Sequence, residues 1–401
     1  MPRLLQINTT LNCGSTGRIA EQIAIKAKEH GWDCYHAYGG RYVGKSLFQA
    51  IQVSPKYDNY LHALLGEYLG RHGLGSTLST KRFVEIIKGL NPDVIHLHNI
   101  HGYYINYKVL FEFLKTAGIP VVWTLHDCWP FTGHCTHFDN VKCEKWKIEC
   151  GNCPIQMAQY KSRFIDRSKK NYLLKKSLYA QLNNLTIVPV SHWLEGLVEQ
   201  SILKHFPVRV IHNGIDLNVF KPTVNTIRER FGIPENKLFV LGVLGSGFVE
   251  KGKEEFIEMS KKNDLQIMLV GLTDDEKKGL PDSIILVGRT SSQTELAEFY
   301  SAADVMLNPT YNDTFPTINI ESIACGTPVI TYRTGGSPEI LDEHTGIVVE
   351  KGNLAGLNQA LNSIREKGKS AYSEACRERA VKFFNKDERY EDYIELYNSV
   401  L

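Results

Sequence analysis

No run of roughly 18 apolar residues, the length a membrane-spanning helix requires, occurs anywhere in the 401-residue chain. Its first residues, MPRLLQINTT, lack the charged-then-apolar order of a secretory leader, so a cytoplasmic protein is expected. Long internal repeats and low-complexity tracts are also missing, which sets aside solenoids and disordered tails. Net charge is small, +2, but unevenly placed. Residues 1–210 hold 25 Lys and Arg against 15 Asp and Glu, and the remainder 21 against 29. The basic half suits an anionic partner or membrane surface, and simple solvation explains it equally.

With 43% hydrophobic and 22% charged residues, the chain can bury two cores of ordinary domain size. Short β-rich apolar runs alternate with amphipathic stretches: LLQINT (4–9), DCYHAYG (33–39), DVIHLHN (93–99), VVWTL (121–125) and LTIVPVS (185–191). After Asn213-Gly214 the rhythm restarts at LFVLGVLG (238–245), QIMLVG (266–271), IILVG (284–288), VMLNPT (305–310), VITYR (329–333) and GIVVE (346–350). Such βαβ alternation predicts an α/β fold of two doubly wound, Rossmann-like domains, 1–212 and 213–385. Residues 386–401 form a closing helix, with Tyr390, Tyr393, Leu396, Tyr397 and Leu401 on its apolar face.

The stretch DTFPTINIESIACGTPV (313–329) follows a strand and carries Asp313 and Glu321 eight positions apart. Pro316 suits the first turn of a helix running to about Cys325, and Gly326 suits its end. Unpaired N–H groups at Thr317 and Ile318 would then form an anion site at the positive end of the helix dipole. Glu321, a turn further in, suits a vicinal diol such as a ribose. Taken alone, the pair reads as a helix cap at Asp313 and a solvated surface acid at Glu321.

This stretch, continuing through GTPVITYRTGGSPEI (326–340), resembles the E-x-F-G-x-x-x-x-E signature of family 4 retaining glycosyltransferases, which have the two-domain GT-B fold. The resemblance implies two domains facing across a cleft, with the closing helix crossing back to the first. It assigns Asp313 to the donor sugar, Glu321 to the ribose of a nucleotide-sugar, and the loop Thr314-Phe315 with the amides of Thr317 and Ile318 to the diphosphate. Asp313 stands where the family has Glu, and Pro316 where it has Gly. LGVLGSGFVEKGKEEFIE (241–258) is similar to the family's G-R-L-x-x-E-K-G turn. Lys251 matches its lysine, whereas Ser246 replaces its arginine, a loss that Arg289 or Arg18 would offset. In NCGSTGRIAE, Gly14 and Gly17 let backbone approach phosphate or sugar, or serve only a tight turn. His126, directly after a strand, takes the family's histidine role beside the donor sugar. Ser337 is read as the cap and Pro338 as the first turn of another helix, in which Glu339 contacts the sugar or only favours the helix dipole.

The activity so implied is metal-independent hexosyl transfer with retention, from a UDP- or GDP-sugar to a saccharide or lipid-linked glycan, in cell-surface polysaccharide synthesis. No Asp-x-Asp triplet occurs, which speaks against the metal-dependent single-domain design, so no catalytic metal is expected. A nucleotide-sugar epimerase and a non-catalytic nucleotide-sugar-binding relative are the alternatives.

Five of the nine cysteines crowd into an insert at 128–154. Cys135, Cys143, Cys150 and Cys153, the last two a Cys-x-x-Cys, have the make-up of a structural zinc site, with Cys128, His134 and His137 as alternates. Disulfides and free buried thiols compete with it. The basic aromatic stretch 160–179, with Lys161, Arg163, Arg167, Lys169, Lys170, Lys175, Lys176 and Phe164, suits nucleic acid and an anionic membrane equally, and the resemblance, through relatives that are peripheral membrane enzymes, tilts the reading to the inner membrane face. In HLHNIHG, His96 and His98 are placed on opposite strand faces, and the three histidines are read as loop or acceptor-site residues.

Overall fold

The computed structural model describes residues 1–40, 42–157, 160–244 and 251–401. Two compact units result: Met1–His212 with Asp387–Leu401, and Asn213–Lys386.

The first unit holds a six-stranded parallel sheet: β1 (Arg3–Asn8), β2 (Asp33–Tyr38), β3 (Gln49–Gln52), β4 (Val94–Leu97), β5 (Val121–Leu125) and β6 (Leu185–Pro189), in the order β3-β2-β1-β4-β5-β6. Five of these strands are the apolar runs read from the sequence. β3, QAIQ, was not expected: it is a short, largely exposed edge strand without an apolar run. The second unit repeats the design with β7 (Leu238–Val243), β8 (Leu265–Val270), β9 (Ile284–Val287), β10 (Val305–Asn308), β11 (Val329–Tyr332) and β12 (Gly346–Val349), ordered β12-β11-β10-β7-β8-β9. Central strands such as β1 and β10 are buried on both faces, which is why they read as continuous apolar runs rather than alternating ones.

In each sheet the chain reverses its direction of winding once, between β1 and β4 and between β7 and β10. Crevices beyond the carboxyl ends of strands at such switch points are the usual ligand positions of open α/β sheets.

The closing helix, Lys386–Val400, belongs to the first unit from Asp387 onward. Tyr390, Tyr393, Ile394, Leu396 and Tyr397 pack on Leu4, Ile23, Ala27, Trp32 and Val94. Burying a large apolar side chain contributes about 1.5–3 kcal/mol gross, so five of them hold the helix firmly. Leu401, expected on this face, is exposed beyond the helix end, and Ile394 fills the stripe instead.

Candidate functional site

The signature helix spans Thr317–Ala324. Pro316 is its N-cap rather than a residue of its first turn, and no side chain caps it. A proline N-cap has no side-chain acceptor, so the first-turn amides of Thr317 and Ile318 lack both a cap and a carbonyl within the helix. The far end closes as a Schellman motif, with Thr327 N–H on Ser322 O (3.0 Å) and Gly326 N–H on Ile323 O (3.0 Å).

Asp313 does not cap that helix. Its Oδ1 accepts from Phe315 N–H at 3.3 Å, fixing the loop after β10. Its Oδ2 accepts from Lys251 Nζ at 2.9 Å, each side chain about one-fifth exposed (21% and 22%). The two groups assigned to the donor are therefore paired with one another, drawn together because β7 and β10 are neighbours. The loop after β11 closes the other side. Thr334 Oγ1 donates to Thr310 O (2.9 Å) and Gly336 N–H to Thr314 O (3.0 Å). Gly335, at φ +52°, passes so near that a Cβ there would lie 1.7 Å from Asp313 O. Gly336, not Ser337, caps the short helix Ser337–Ile340, and the buried Ser337 Oγ has no hydrogen-bond partner among the described residues.

Glu321, half-buried, accepts at Oε2 from the Tyr300 hydroxyl at 2.9 Å. Tyr300 is fully buried. Burial, and then the Glu321 charge and hydrogen bond, hold its phenol well above the usual range, so it stays a donor at any physiological pH. Sequence reasoning missed Tyr300, because FYSAAD in the helix Gln293–Ala302 reads as an ordinary amphipathic end. It also missed Glu255, a buried acid that receives the hydroxyls of Tyr311 (2.6 Å) and Tyr332 (3.0 Å) and so braces the roots of the loops after β10 and β11. Ser246 lies outside the described residues. Arg289 is exposed just past the edge strand β9, and among the described residues it has no partner in this group.

In the first unit, His126 follows β5 and Gly17 lies in the helix Gly14–Glu29 that follows β1. Gly17 is buried against the preceding loop: a Cβ there would meet Thr10 Oγ1 at 2.7 Å and Asn12 N at 3.2 Å, so its bareness serves the turn's packing. His126 Nε2 lies 3.1 Å from His98 Nδ1. Asp127 Oδ2 pairs with His101 Nε2 at 2.7 Å, and Oδ1 accepts from Trp129 N–H at 2.8 Å. Burial alone would raise the Asp127 carboxyl, but His101 and that amide outweigh it and hold it below the usual range. His96 and His98 are not on opposite faces: residues two apart in a strand share one, and their ring centroids are 4.0 Å apart. His96 is a strand residue, fully enclosed between Tyr397 and Thr124, whereas His98 lies buried in the loop just past β4.

Cys135, Cys143, Cys150 and Cys153 are all free thiols. His134 Nε2 approaches Cys153 Sγ at 3.1 Å, but among the described residues no three His, Cys, Asp or Glu side chains converge as a metal-holding set. The insert has an aromatic core of its own, with Trp146 stacked 5.0 Å from Phe138 and tilted against Phe131 at 5.2 Å. Lys175, counted in the basic stretch, is not at the surface. It is buried over the Trp129 ring, 3.3 Å from its centroid, and donates to the carbonyls of Trp129 and Thr132. Among the described residues no helix is long and apolar enough to cross a membrane.

Two family models match the chain: Glycosyltransferase Family 4 over residues 54–219 and Glycosyl transferases group 1 over residues 223–383. WcaC of Escherichia coli (strain K12), a glycosyl transferase assigned to colanic acid biosynthesis, is 24% identical over 89% of each chain. N-acetyl-alpha-D-glucosaminyl L-malate synthase of Bacillus anthracis is 24% identical over 54% of this chain and 60% of its own. Among solved structures, sucrose-phosphate synthase from Thermosynechococcus elongatus superposes with a TM-score of 0.73 at 20% identity, covering 100% of this chain and 99% of that one. Anabaena HepE in complex with UDP-glucose gives 0.68 at 16%, covering 99% of each. Matched by family models in both of its doubly wound units, the chain belongs to the group 1, family 4 glycosyltransferases of GT-B fold and is a sugar-transferring enzyme.

Proposed function

We propose that this enzyme transfers a hexosyl group, with retention, from a nucleoside-diphosphate sugar to a saccharide or lipid-linked glycan during polysaccharide or glycoconjugate synthesis. The observation that carries the reading is the arrangement beyond β7 and β10: Glu321 steadied by Tyr300, the uncapped amides of Thr317 and Ile318, and Lys251 against Asp313. Each matches one part of such a donor. A carboxylate accepts from the two ribose hydroxyls, helix N-terminal amides and an ammonium group take the diphosphate, and Asp313 receives a sugar hydroxyl. Solved HepE complexes with UDP and UDP-glucose support a uridine donor, and WcaC, assigned to colanic acid biosynthesis, supports a polysaccharide product.

For chemistry, the amides and Lys251 stabilise the charge that gathers on the departing diphosphate. The acceptor hydroxyl attacks from the leaving-group face, and its proton passes to the departing phosphate oxygen. The sugar–phosphate bond breaks as the new glycosidic bond forms, with no protein nucleophile, so Asp313 and Glu321 are not a glycosidase pair. In the structure Lys251 is bound to Asp313, so donor binding must exchange that pair for phosphate and sugar contacts.

A thermal-shift screen of nucleotide-sugars identifies the donor. Nucleotide release that needs an acceptor supports transfer, and a new sugar isomer without acceptor indicates epimerisation instead. Unchanged donor binding in both Glu321→Ala and Lys251→Ala overturns the site. Peripheral attachment to an anionic membrane is favoured by Phe164, 75% exposed beside exposed Lys161, Arg163, Lys169 and Lys170. Co-sedimentation with vesicles containing acidic lipid, lost in Phe164→Glu, tests it.

A further inference from the structure

Gln6 and His98 are fully buried polar side chains that the reading above leaves unused. Gln6 lies on β1, and His98 and His126 lie just past β4 and β5, three strands adjacent in the sheet. Their hydrogen bonds form one chain: Ala20 O, Gln6, His98, His126.

The direction of that chain follows from chemistry. Gln6 Nε2 donates to Ala20 O at 2.8 Å, and turning the amide over would set two oxygens against each other there. Gln6 Oε1 therefore faces His98 Nε2, 2.8 Å away. A carboxamide oxygen only accepts, so His98 Nε2 carries the proton. His98 is neutral, since burial and then the neighbouring His96, His126 and His36 all disfavour a charged ring. Its Nδ1 thus holds a lone pair. His126 Nε2, 3.1 Å from that lone pair, is the donor.

We propose that Gln6 and His98 are positioning residues that hold His126 in its Nε2–H tautomer, which makes Nδ1 its one accepting ring nitrogen. Burial pushes the His126 ring down to about 4, so this neutral form is the working one above that pH. The helix Gly14–Glu29 is part of the device, because its Ala20 carbonyl fixes the Gln6 amide. Resting on the role that the family resemblance gives His126, the consequence is that its ring receives a hydrogen bond from a substrate hydroxyl and does not give one through Nδ1. A ring in the other tautomer would present a donor at that atom and repel the hydroxyl's proton.

The test uses full-length protein labelled with 15N-histidine, with the His126 signals identified by their loss in His126→Gln. Long-range 1H–15N spectra without donor are expected to show a protonated-type Nε2 and an unprotonated-type Nδ1. Gln6→Glu, kept protonated by burial so that its O–H replaces the donor to Ala20 O while its carbonyl oxygen accepts from His98, is expected to retain that pattern, whereas Gln6→Met removes it and moves both nitrogens toward averaged shifts. A packing role predicts the reverse preference, Met over Glu. An unprotonated Nε2 in the wild type overturns the proposal, and that spectrum decides the tautomer even if Gln6→Met does not fold. So does Gln6→Met leaving the pattern unchanged. Sugar transfer is then measured with the donor found by the screen. A shifted tautomer with at least tenfold lower kcat supports positioning, and a shifted tautomer with unchanged kcat refutes it. Absence of any transferase activity rejects the functional reading while the spectra still report the tautomer.

Discussion

Replacing Tyr300 by Phe removes one hydroxyl and keeps the ring. That hydroxyl donates to Glu321 Oε2 at 2.9 Å from a fully buried position. A hydrogen bond to a charged group contributes about 1.5–3 kcal/mol net. Glu321 is only half-buried, so water takes over part of the lost bond and the lower end applies. About 1.4 kcal/mol is tenfold in affinity, so donor binding should weaken roughly tenfold. Stability should fall by only about 1 kcal/mol, because the buried apolar surface is conserved. The effect should not change between pH 6 and pH 9, since the phenol's proton is held well above its usual range. Calorimetric titration with UDP and with UDP-glucose measures the loss, which should be the same for both if Glu321 grips the ribose they share. In a Glu321→Ala background, Tyr300→Phe should cost nothing further, because the two act as one unit. Full affinity in Tyr300→Phe, or costs that simply add in the double variant, would refute the assignment of Glu321.

Lys251→Met should weaken binding of UDP about tenfold or more at low salt and less at high salt, since it removes a charge from a partly exposed site; titration at two ionic strengths checks this. Gly335→Ala should lower the melting temperature of the second unit by ~4 °C or more and reduce activity, because φ +52° and the approach to Asp313 O both exclude a Cβ. Burial pulls His36, His62 and His72 down to about 4, 3 and 3, below the unfolded value near 6.5. Between those values the unfolded chain binds more protons than the folded one, so stability rises with pH there and is lost as pH falls from about 6.5 toward 4. Thirteen of the fourteen histidines lie in residues 1–212, so scanning calorimetry should show the first unit losing stability first on acidification; equal shifts of both units would contradict this. A structural zinc on Cys135, Cys143, Cys150 and Cys153 predicts one zinc per chain by metal analysis, and sub-stoichiometric zinc in folded protein leaves the insert to its aromatic core.

Eleven of the twelve strands were legible because buried parallel strands must be apolar on both faces, and β3 was not because an exposed edge strand need not be. The signature helix was placed within a residue at each end, since Pro316 and Gly326 act through local backbone geometry. Lys175 misled for the opposite reason. Its neighbours in sequence are surface lysines, but its own amine is turned inward onto Trp129 by packing that no local pattern encodes.

By itself the sequence determined the two doubly wound sheets, the closing helix and the positions of Asp313, Glu321 and Lys251, because apolar period, turn residues and signature spacing are properties of short segments. Only the tertiary structure decided which partners those residues have. Tyr300 reaches Glu321 from another helix, Lys251 reaches Asp313 across neighbouring strands, and Gln6, His98 and His126 align because β1, β4 and β5 lie side by side. Parallel strands joined by crossovers bring residues 28 to 92 positions apart within 3.1 Å, as for His98 with His126 and with Gln6, and no window of sequence spans that distance.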